Sequence, residues 1–197
     1  MNRRIWLLAI LAALAACTNA GDDDVAVLPA KPVSVDAVQV VQNEAAIEVK
    51  RLQNLWVYQS VAVTGGVQRS ASIDSRTVPV EDGEIIPVPD AQLVLRDHPS
   101  WGRSAYLLLA RSRFNCGKPC VMMIAFDAGE PHRFVGLQAD SGKGPALFIN
   151  DESGFINALK KAKVVRIALP KGSGLVSSLT FEVAGFDAAS YARGARE

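Results

Sequence analysis

The chain has 197 residues, of which 49% are hydrophobic and 21% are charged. Its 21 basic and 20 acidic residues leave a formal net charge of +1, which argues against a nucleic-acid partner and against an acidic disordered tail. Three cysteines are too few for a disulfide-built scaffold or for a four-thiolate zinc site. The composition therefore predicts one ordinary domain with appendages, and it implies no cofactor.

The first 16 residues have the layout of an export signal. Arg3 and Arg4 form a basic segment, and an unbroken run of apolar or small residues follows over 5–16. This run is shorter than the roughly 20 residues that cross a bilayer as a helix, but it has the length of a signal-peptide hydrophobic region. Residues 1–16 are therefore predicted to be a signal peptide.

The end of this signal carries a second feature. Leu14-Ala15-Ala16-Cys17 resembles the lipobox of bacterial lipoproteins. The resemblance implies that diacylglycerol is attached to Cys17, that the chain is cleaved after Ala16, and that the new amino terminus is acylated. Lipoproteins retained at the inner membrane usually carry Asp where this chain has Thr18, so the resemblance implies the periplasmic face of the outer membrane. The alternative is an ordinary signal peptide in which Cys17 is incidental.

Residues 17–34 are predicted to be a flexible tether. They contain the acidic run Asp22-Asp23-Asp24 and the turn-forming Pro29 and Pro32, and they have little apolar surface to bury.

The next segment predicts an amphipathic helix over 35–52, with Asp36 as its capping residue. It has no Gly or Pro, and apolar residues recur three or four positions apart. These are Val35, Val38, Val41, Ala45, Val49 and Leu52. One interpretation is that this face packs against the chain's own domain, and the other is that it binds a partner or a second copy.

Residues 53–190 predict a mainly β domain, an antiparallel β-sandwich or an open barrel, followed by a tail over 191–197. Short apolar or alternating segments are separated by turn residues, and consecutive pairs favour a meander. The first predicted strand segment, Trp56-Val57-Tyr58, leads to a hairpin turn at Thr64-Gly65-Gly66. The further predicted strands lie near 67–73, 92–96, 105–110, 121–126, 132–138, 164–169 and 179–183.

One short helix, about 151–163, is predicted to interrupt the strands. Asn150 or Asp151 can cap it, and four apolar residues share one face. These are Phe155, Ile156, Leu159 and Ala162.

Three segments of the C-terminal half carry a resemblance to known families. They are Phe126-Asp127-x-Gly129, Phe155-Ile156-x-x-Leu159 and Phe181-x-Val183-x-Gly185-Phe186. In this order they resemble a group of uncharacterised bacterial envelope proteins and, more distantly, the type VI secretion-associated VasI-like and invasion-associated locus B-like proteins. The resemblance covers about residues 90–190 and implies a small β-sandwich-like periplasmic domain. It supplies no catalytic residue.

Cys116 and Cys120 are the most specific local feature. In an oxidising compartment two cysteines four positions apart are predicted to form a disulfide across a tight turn. A redox centre is the first alternative, although a strand rather than a helix follows Cys120. A copper site with His132 and the neighbouring methionines is the second alternative.

Other candidate sites have weaker patterns. The two histidines cannot build a three-histidine zinc site, and His98 before a proline is predicted to be a surface residue. A triad of Ser100 or Ser153 with His132 and Asp127 lacks a nucleophile elbow. The glycine-rich segment 136–144 lacks phosphate-loop spacing. Four arginines around one predicted hairpin form either a basic face or a solvated strand face: Arg96, Arg103, Arg111 and Arg113.

These patterns predict a non-catalytic lipoprotein with a binding or envelope-assembly role. Its expected partners are the membrane, through the lipid on Cys17, and an envelope protein. An inhibitor of a periplasmic hydrolase, inserting the turn between Cys116 and Cys120 into an enzyme cleft, is one alternative. A redox or copper-handling protein is the other.

Overall fold

The structure is a computed structural model that describes residues 35–76, 90–110, 114–116, 119–138, 146–169 and 177–193, with side chains from Gln39 onward. The helices are α1 Val35–Asn54, α2 Glu152–Leu159 and α3 Ala188–Arg193, with one 3₁₀ turn at Val183–Gly185. The strands are β1 Trp56–Val63, β2 Gly66–Asp74, β3 Ala91–His98, β4 Gly102–Leu109, β5 Cys120–Phe126, β6 His132–Gln138, β7 Ala146–Ile149, β8 Val164–Ala168 and β9 Ser178–Glu182.

The nine strands form one open antiparallel sheet, which confirms the predicted mainly β class. The spatial order is β1-β2-β3-β4-β7-β6-β5-β8-β9. Consecutive strands pair as predicted except where β7 lies beside β4 and β5 lies beside β8. The order therefore departs from a simple meander. The sequence patterns do not predict β7, because its four residues are too few to show a period.

The inner face of the sheet forms the core, and α2 packs against it. Asp151 caps α2 by accepting a hydrogen bond from the Gly154 amide at 3.0 Å, as predicted. Phe155 is completely buried, and its ring contacts those of Phe126 and Phe134. Three residues of the predicted apolar face, Phe155, Ile156 and Leu159, are buried on α2. The helix ends at Leu159 and not near 163 as predicted, so Ala162 is buried in the segment that follows it.

Asp127 explains the Phe-Asp-x-Gly segment. It adopts a left-handed backbone conformation with φ of 52°, and its Oδ1 accepts hydrogen bonds from the amides of Lys163 and Val164 at 2.8 and 2.9 Å. These backbone donors lower the pKa of the Asp127 carboxyl. The residue therefore ties the β5–β6 turn to the start of β8, which is a structural role.

Helix α1 is formed where the sequence predicts it, but most of it is exposed. Val41 is 64% exposed and Val49 is 55% exposed, whereas Leu52 in the last turn is partly buried. The interpretation that this apolar face packs along the chain's own domain is therefore wrong for the described residues from 39 to 51. The predicted cap, Asp36, lies among the residues whose side chains the structure does not describe.

The last turn of α1 is attached to the 3₁₀ turn that follows β9. A Cβ placed on Gly185 would lie 2.1 Å from the carbonyl oxygen of Leu52, so only glycine permits this approach of the two backbones. Beside this contact, Glu182 accepts hydrogen bonds from Arg51 and Arg76. We call this set, Arg51, Arg76, Glu182 and Gly185, the junction.

The junction also brings the two ends of the sheet together. Residues after β2 continue past the start of β1, and the Arg76 amide donates a hydrogen bond to the Thr180 carbonyl of β9 at 2.8 Å. In the β1–β2 ladder, the first residue of β1, Trp56, lies opposite Ile73. Residue 76 is three positions further along the chain, so no residue of β1 lies opposite it. This one backbone hydrogen bond links the segment after β2 to β9, although β2 and β9 are not paired strands of the sheet.

The junction should make stability depend on pH. Its two arginines lower the pKa of the Glu182 carboxyl to about 2, so the folded state favours the ionised form. The stabilisation is present at neutral pH and is lost as the pH falls below the ordinary value of 4.5 towards 2. We expect Glu182→Gln to lower the free energy of unfolding, measured in urea at pH 7, and the difference from the wild type to shrink at pH 3.

Glu130→Gln is the control, because Glu130 is an exposed acid that makes no ion pair with the described residues. The prediction is wrong if the loss of stability in the Glu182→Gln variant is the same at both pH values.

Candidate functional site

Two of the three cysteines lie among the described residues. Cys116 and Cys120 form a disulfide with Cα atoms 5.2 Å apart, which confirms the predicted pairing. Cys120 is buried at the first position of β5. Cys17 and the two residues at 117–118, which form the tip of the proposed inhibitory turn, lie outside the described residues.

The residues of the copper hypothesis do not come together. In the β5–β6 register Cys120 is opposite Gly136, whereas His132 is opposite Ile124. His132 therefore lies four residues along the strand from the position facing the disulfide, which is about 13 Å. Met122 is completely buried in the core. Among the described residues there is no group of three or more His, Cys, Asp and Glu side chains placed to hold a metal ion.

The triad residues also have local structural roles. Asp127 accepts hydrogen bonds from backbone amides, and the Ser153 hydroxyl donates to Glu152 within α2. Of the glycine-rich segment, residues 139–145 lie outside the described residues. Gly136 is a buried strand residue, and a Cβ there would lie 2.8 Å from the Leu147 side chain.

The predicted basic face is not formed by the two arginines that the structure describes. In the register of β3 and β4, Arg103 lies opposite Asp97, and Arg96 lies opposite Ser104. Because neighbouring residues of a strand point to opposite faces, Arg96 and Arg103 lie on opposite sides of the sheet. Arg111 and Arg113 lie outside the described residues.

Arg96 is instead the centre of a cluster on the outer face of the sheet. Its guanidinium carbon lies 5.4 Å from the ring centre of Trp101, 5.5 Å from that of Tyr106 and 5.9 Å from that of Phe148. Tyr106 and Phe148 are cross-strand partners on β4 and β7, and their ring centres are 5.0 Å apart. Such distances give cation–π attraction between the guanidinium and each ring. We call Arg96, His98, Trp101, Tyr106 and Phe148 the aromatic face.

The β3–β4 turn positions Trp101 in this cluster. Gly102 has a φ of 69°, a conformation that glycine adopts without strain, and the Ser100 amide donates to Nδ1 of His98 at 3.1 Å. The His98 ring stacks on Trp101 with 3.9 Å between centres. His98 is only 7% exposed, so its predicted surface position is wrong, because the indole ring covers it. Trp101 itself is 69% exposed.

The aromatic face offers a positioned cation beside an exposed indole ring. Arg96 Nε donates to the Ser104 hydroxyl at 3.2 Å, and no carboxylate of the described residues lies within ion-pair distance of the guanidinium. Burial raises the pKa of the Tyr106 hydroxyl, although the charge of Arg96 opposes this shift, so the phenol stays neutral. The arrangement is suited to binding an anionic group next to an apolar surface.

Sequence reasoning found only part of this face. Arg96 is one of the four arginines assigned from the sequence to a basic or solvated face, whereas the sequence patterns assign no role to Trp101. Arg96 and His98 are two residues apart, and so are Ser104 and Tyr106. With the hairpin register known, this spacing would place all four residues on one face of the sheet. Phe148 could not have been found, because β7 and its position beside β4 are not visible in the sequence pattern.

Comparison of the chain with protein-family models, with curated proteins and with solved structures finds no match. Within the described ranges, none of the helices combines the length and hydrophobicity that are needed to cross a membrane.

The disulfide gives a test of its structural role. The closed loop contains five residues, 116–120, so the chain-entropy estimate is about 2 kcal/mol. We expect replacement of both Cys116 and Cys120 by Ala to lower the free energy of unfolding by about this amount. The measurement is urea denaturation, with the reduced wild-type chain as the matched control. An unchanged midpoint in both samples would contradict the prediction.

Proposed function

We propose that the protein is a non-catalytic lipoprotein, anchored at the periplasmic face of the outer membrane through Cys17, whose β domain binds an envelope protein through the aromatic face. The observation that carries the binding proposal is the position of the Arg96 guanidinium among three aromatic rings, one of which, Trp101, is mostly exposed.

The composition of the aromatic face supports a protein partner. Trp, Tyr and Arg are the residues that dominate the binding energy of protein interfaces. Contacts with Tyr106, Phe148 and Ser104 restrict the Arg96 side chain before any partner arrives, so less conformational entropy is lost on binding. The fork of N–H donors in a guanidinium matches a carboxylate. The partner should therefore present an Asp or Glu side chain beside an apolar patch.

The predicted N-terminal layout supports the membrane anchor. The resemblance of residues 14–17 to a lipobox supports lipidation of Cys17, and several acyl chains would give a stable anchor. A tether over 17–34, if fully extended, spans at most about 65 Å. The β domain can then contact proteins well away from the membrane surface while it stays attached.

The anchor is tested with a Cys17→Ala variant of the full chain. We expect the variant to move from the membrane pellet to the soluble periplasmic fraction and to lose incorporation of labelled palmitate. The control replaces Cys116 and Cys120 by Ala, and this variant should stay lipidated. If the wild-type chain incorporates no palmitate, the signal peptide is of the ordinary kind and the anchor is ruled out.

Binding is tested by titrating purified full-length chain against envelope fractions from cells that lack it. Arg96→Ala and Trp101→Ala should each raise the concentration at half-saturation by about 30-fold. This is the change expected when an interface residue that contributes about 2 kcal/mol of binding free energy is lost. Arg103→Ala is the matched control, because it removes the same charge from the opposite face of the same hairpin. An equal loss in all three variants, or no loss for Trp101→Ala, would contradict the proposal.

A further inference from the structure

Strand β1 presents a long uncovered edge. In the part of the chain that the structure describes, β1 is the first strand of the sheet and pairs on one side only, with β2. On its outer face Val57 is 51% exposed and Val61 is 52% exposed, and Gln59 between them is also exposed. The backbone amides and carbonyls along the other side of an edge strand remain available to another strand.

This edge lacks the features that usually prevent pairing. Proteins protect edge strands with charged residues, with proline, or by keeping them short. The eight residues of β1, Trp-Val-Tyr-Gln-Ser-Val-Ala-Val, include no charged residue and no proline. The opposite edge differs, because β9 has five residues and its last residue, Glu182, belongs to the junction. Only β1 therefore offers a long, neutral edge among the described strands.

The side chains of β1 are complementary to a second copy of the same strand. If two copies run antiparallel about a two-fold axis at Gln59, Val57 of each copy faces Val61 of the other. Both residues lie on the same face of the sheet, so this register makes two Val–Val cross-strand pairs around a Gln–Gln pair. A shift of the register by one residue would lose both pairs, since Val57 would then face Ala62.

The absence of charged residues on β1 also favours a second copy of this chain as the partner. Because β1 has no Asp, Glu, Lys or Arg, two identical copies meet without bringing like charges together. A strand rich in charge would gain no ion pair from β1 and would lose hydration. A two-fold arrangement is also the commonest closed symmetry for identical chains.

We propose that β1 pairs with β1 of a second copy, antiparallel and centred on Gln59, so that two nine-stranded sheets join into one. This self-association does not require the aromatic face or the lipid anchor.

Disulfide trapping across the two-fold axis tests this pairing in the full chain in its membrane. Gln59→Cys places two thiols opposite each other, with Cβ atoms about 5 Å apart, and mild oxidation should give a covalent dimer on non-reducing electrophoresis. Ser70→Cys is the matched control, because Ser70 pairs with Gln59 on β2 and lies one strand further from the axis. The dimer fraction should be about tenfold lower for Ser70→Cys, whose thiols are too far apart to bond.

Val61→Lys, combined with Gln59→Cys, provides the second test. Val61 is exposed in the single copy, so the change should leave the melting temperature unchanged while the added charges abolish the trapped dimer. The wild-type chain, oxidised in the same way, shows how much covalent dimer forms through its native cysteines. The proposal is overturned if Gln59→Cys traps no more dimer than Ser70→Cys, if Val61→Lys leaves the dimer intact, or if the trapped product contains a different protein.

Discussion

The carboxylate of Glu182 joins three segments that are far apart in the chain. It binds Arg51 at the end of α1 and Arg76 beyond the end of β2, while it forms the last residue of β9 itself. An open sheet has two free ends, and nothing in its ladders brings those ends together. The junction does so by ion pairing, by the Arg76–Thr180 backbone hydrogen bond and by the close approach of Leu52 to Gly185.

The two ends of the chain segment α1–β1 differ in what they contact because of this attachment. The last turn of α1 lies against the 3₁₀ turn that follows β9, and β1 begins directly after α1 at Trp56. The segment after β2 makes its backbone hydrogen bond to β9 at a position that β1 does not reach. The remainder of β1 continues as the outermost strand with its far edge uncovered. The same attachment leaves the preceding turns of α1 in solvent, since only the last turn has a surface to contact.

The two proposed surfaces lie on one face of the sheet. The register runs without interruption from Gln59 on β1 through Ser70 to Arg96 on β3. If two copies join at Gln59, strand spacing of about 4.8 Å puts their two Arg96 residues roughly 24 Å apart on the same side. A partner with two acidic sites at that spacing would then bind both copies with avidity. A single copy would offer one site.

The sequence by itself determined the local structure of this protein. The class of fold, the boundaries of α1 and most strands, the Asp151 cap with the buried face of α2, and the Cys116–Cys120 disulfide all depend on residues near each other in the chain. Hydrophobic periodicity, capping residues and the spacing of nearby cysteines in the sequence therefore predict these features directly. Only the tertiary structure decided the place of β7 beside β4, the burial of His98 under Trp101, the exposure of α1 and the cluster around Arg96. Each of these depends on which strands become neighbours and what covers each face, and the free energy of packing the whole chain decides that choice.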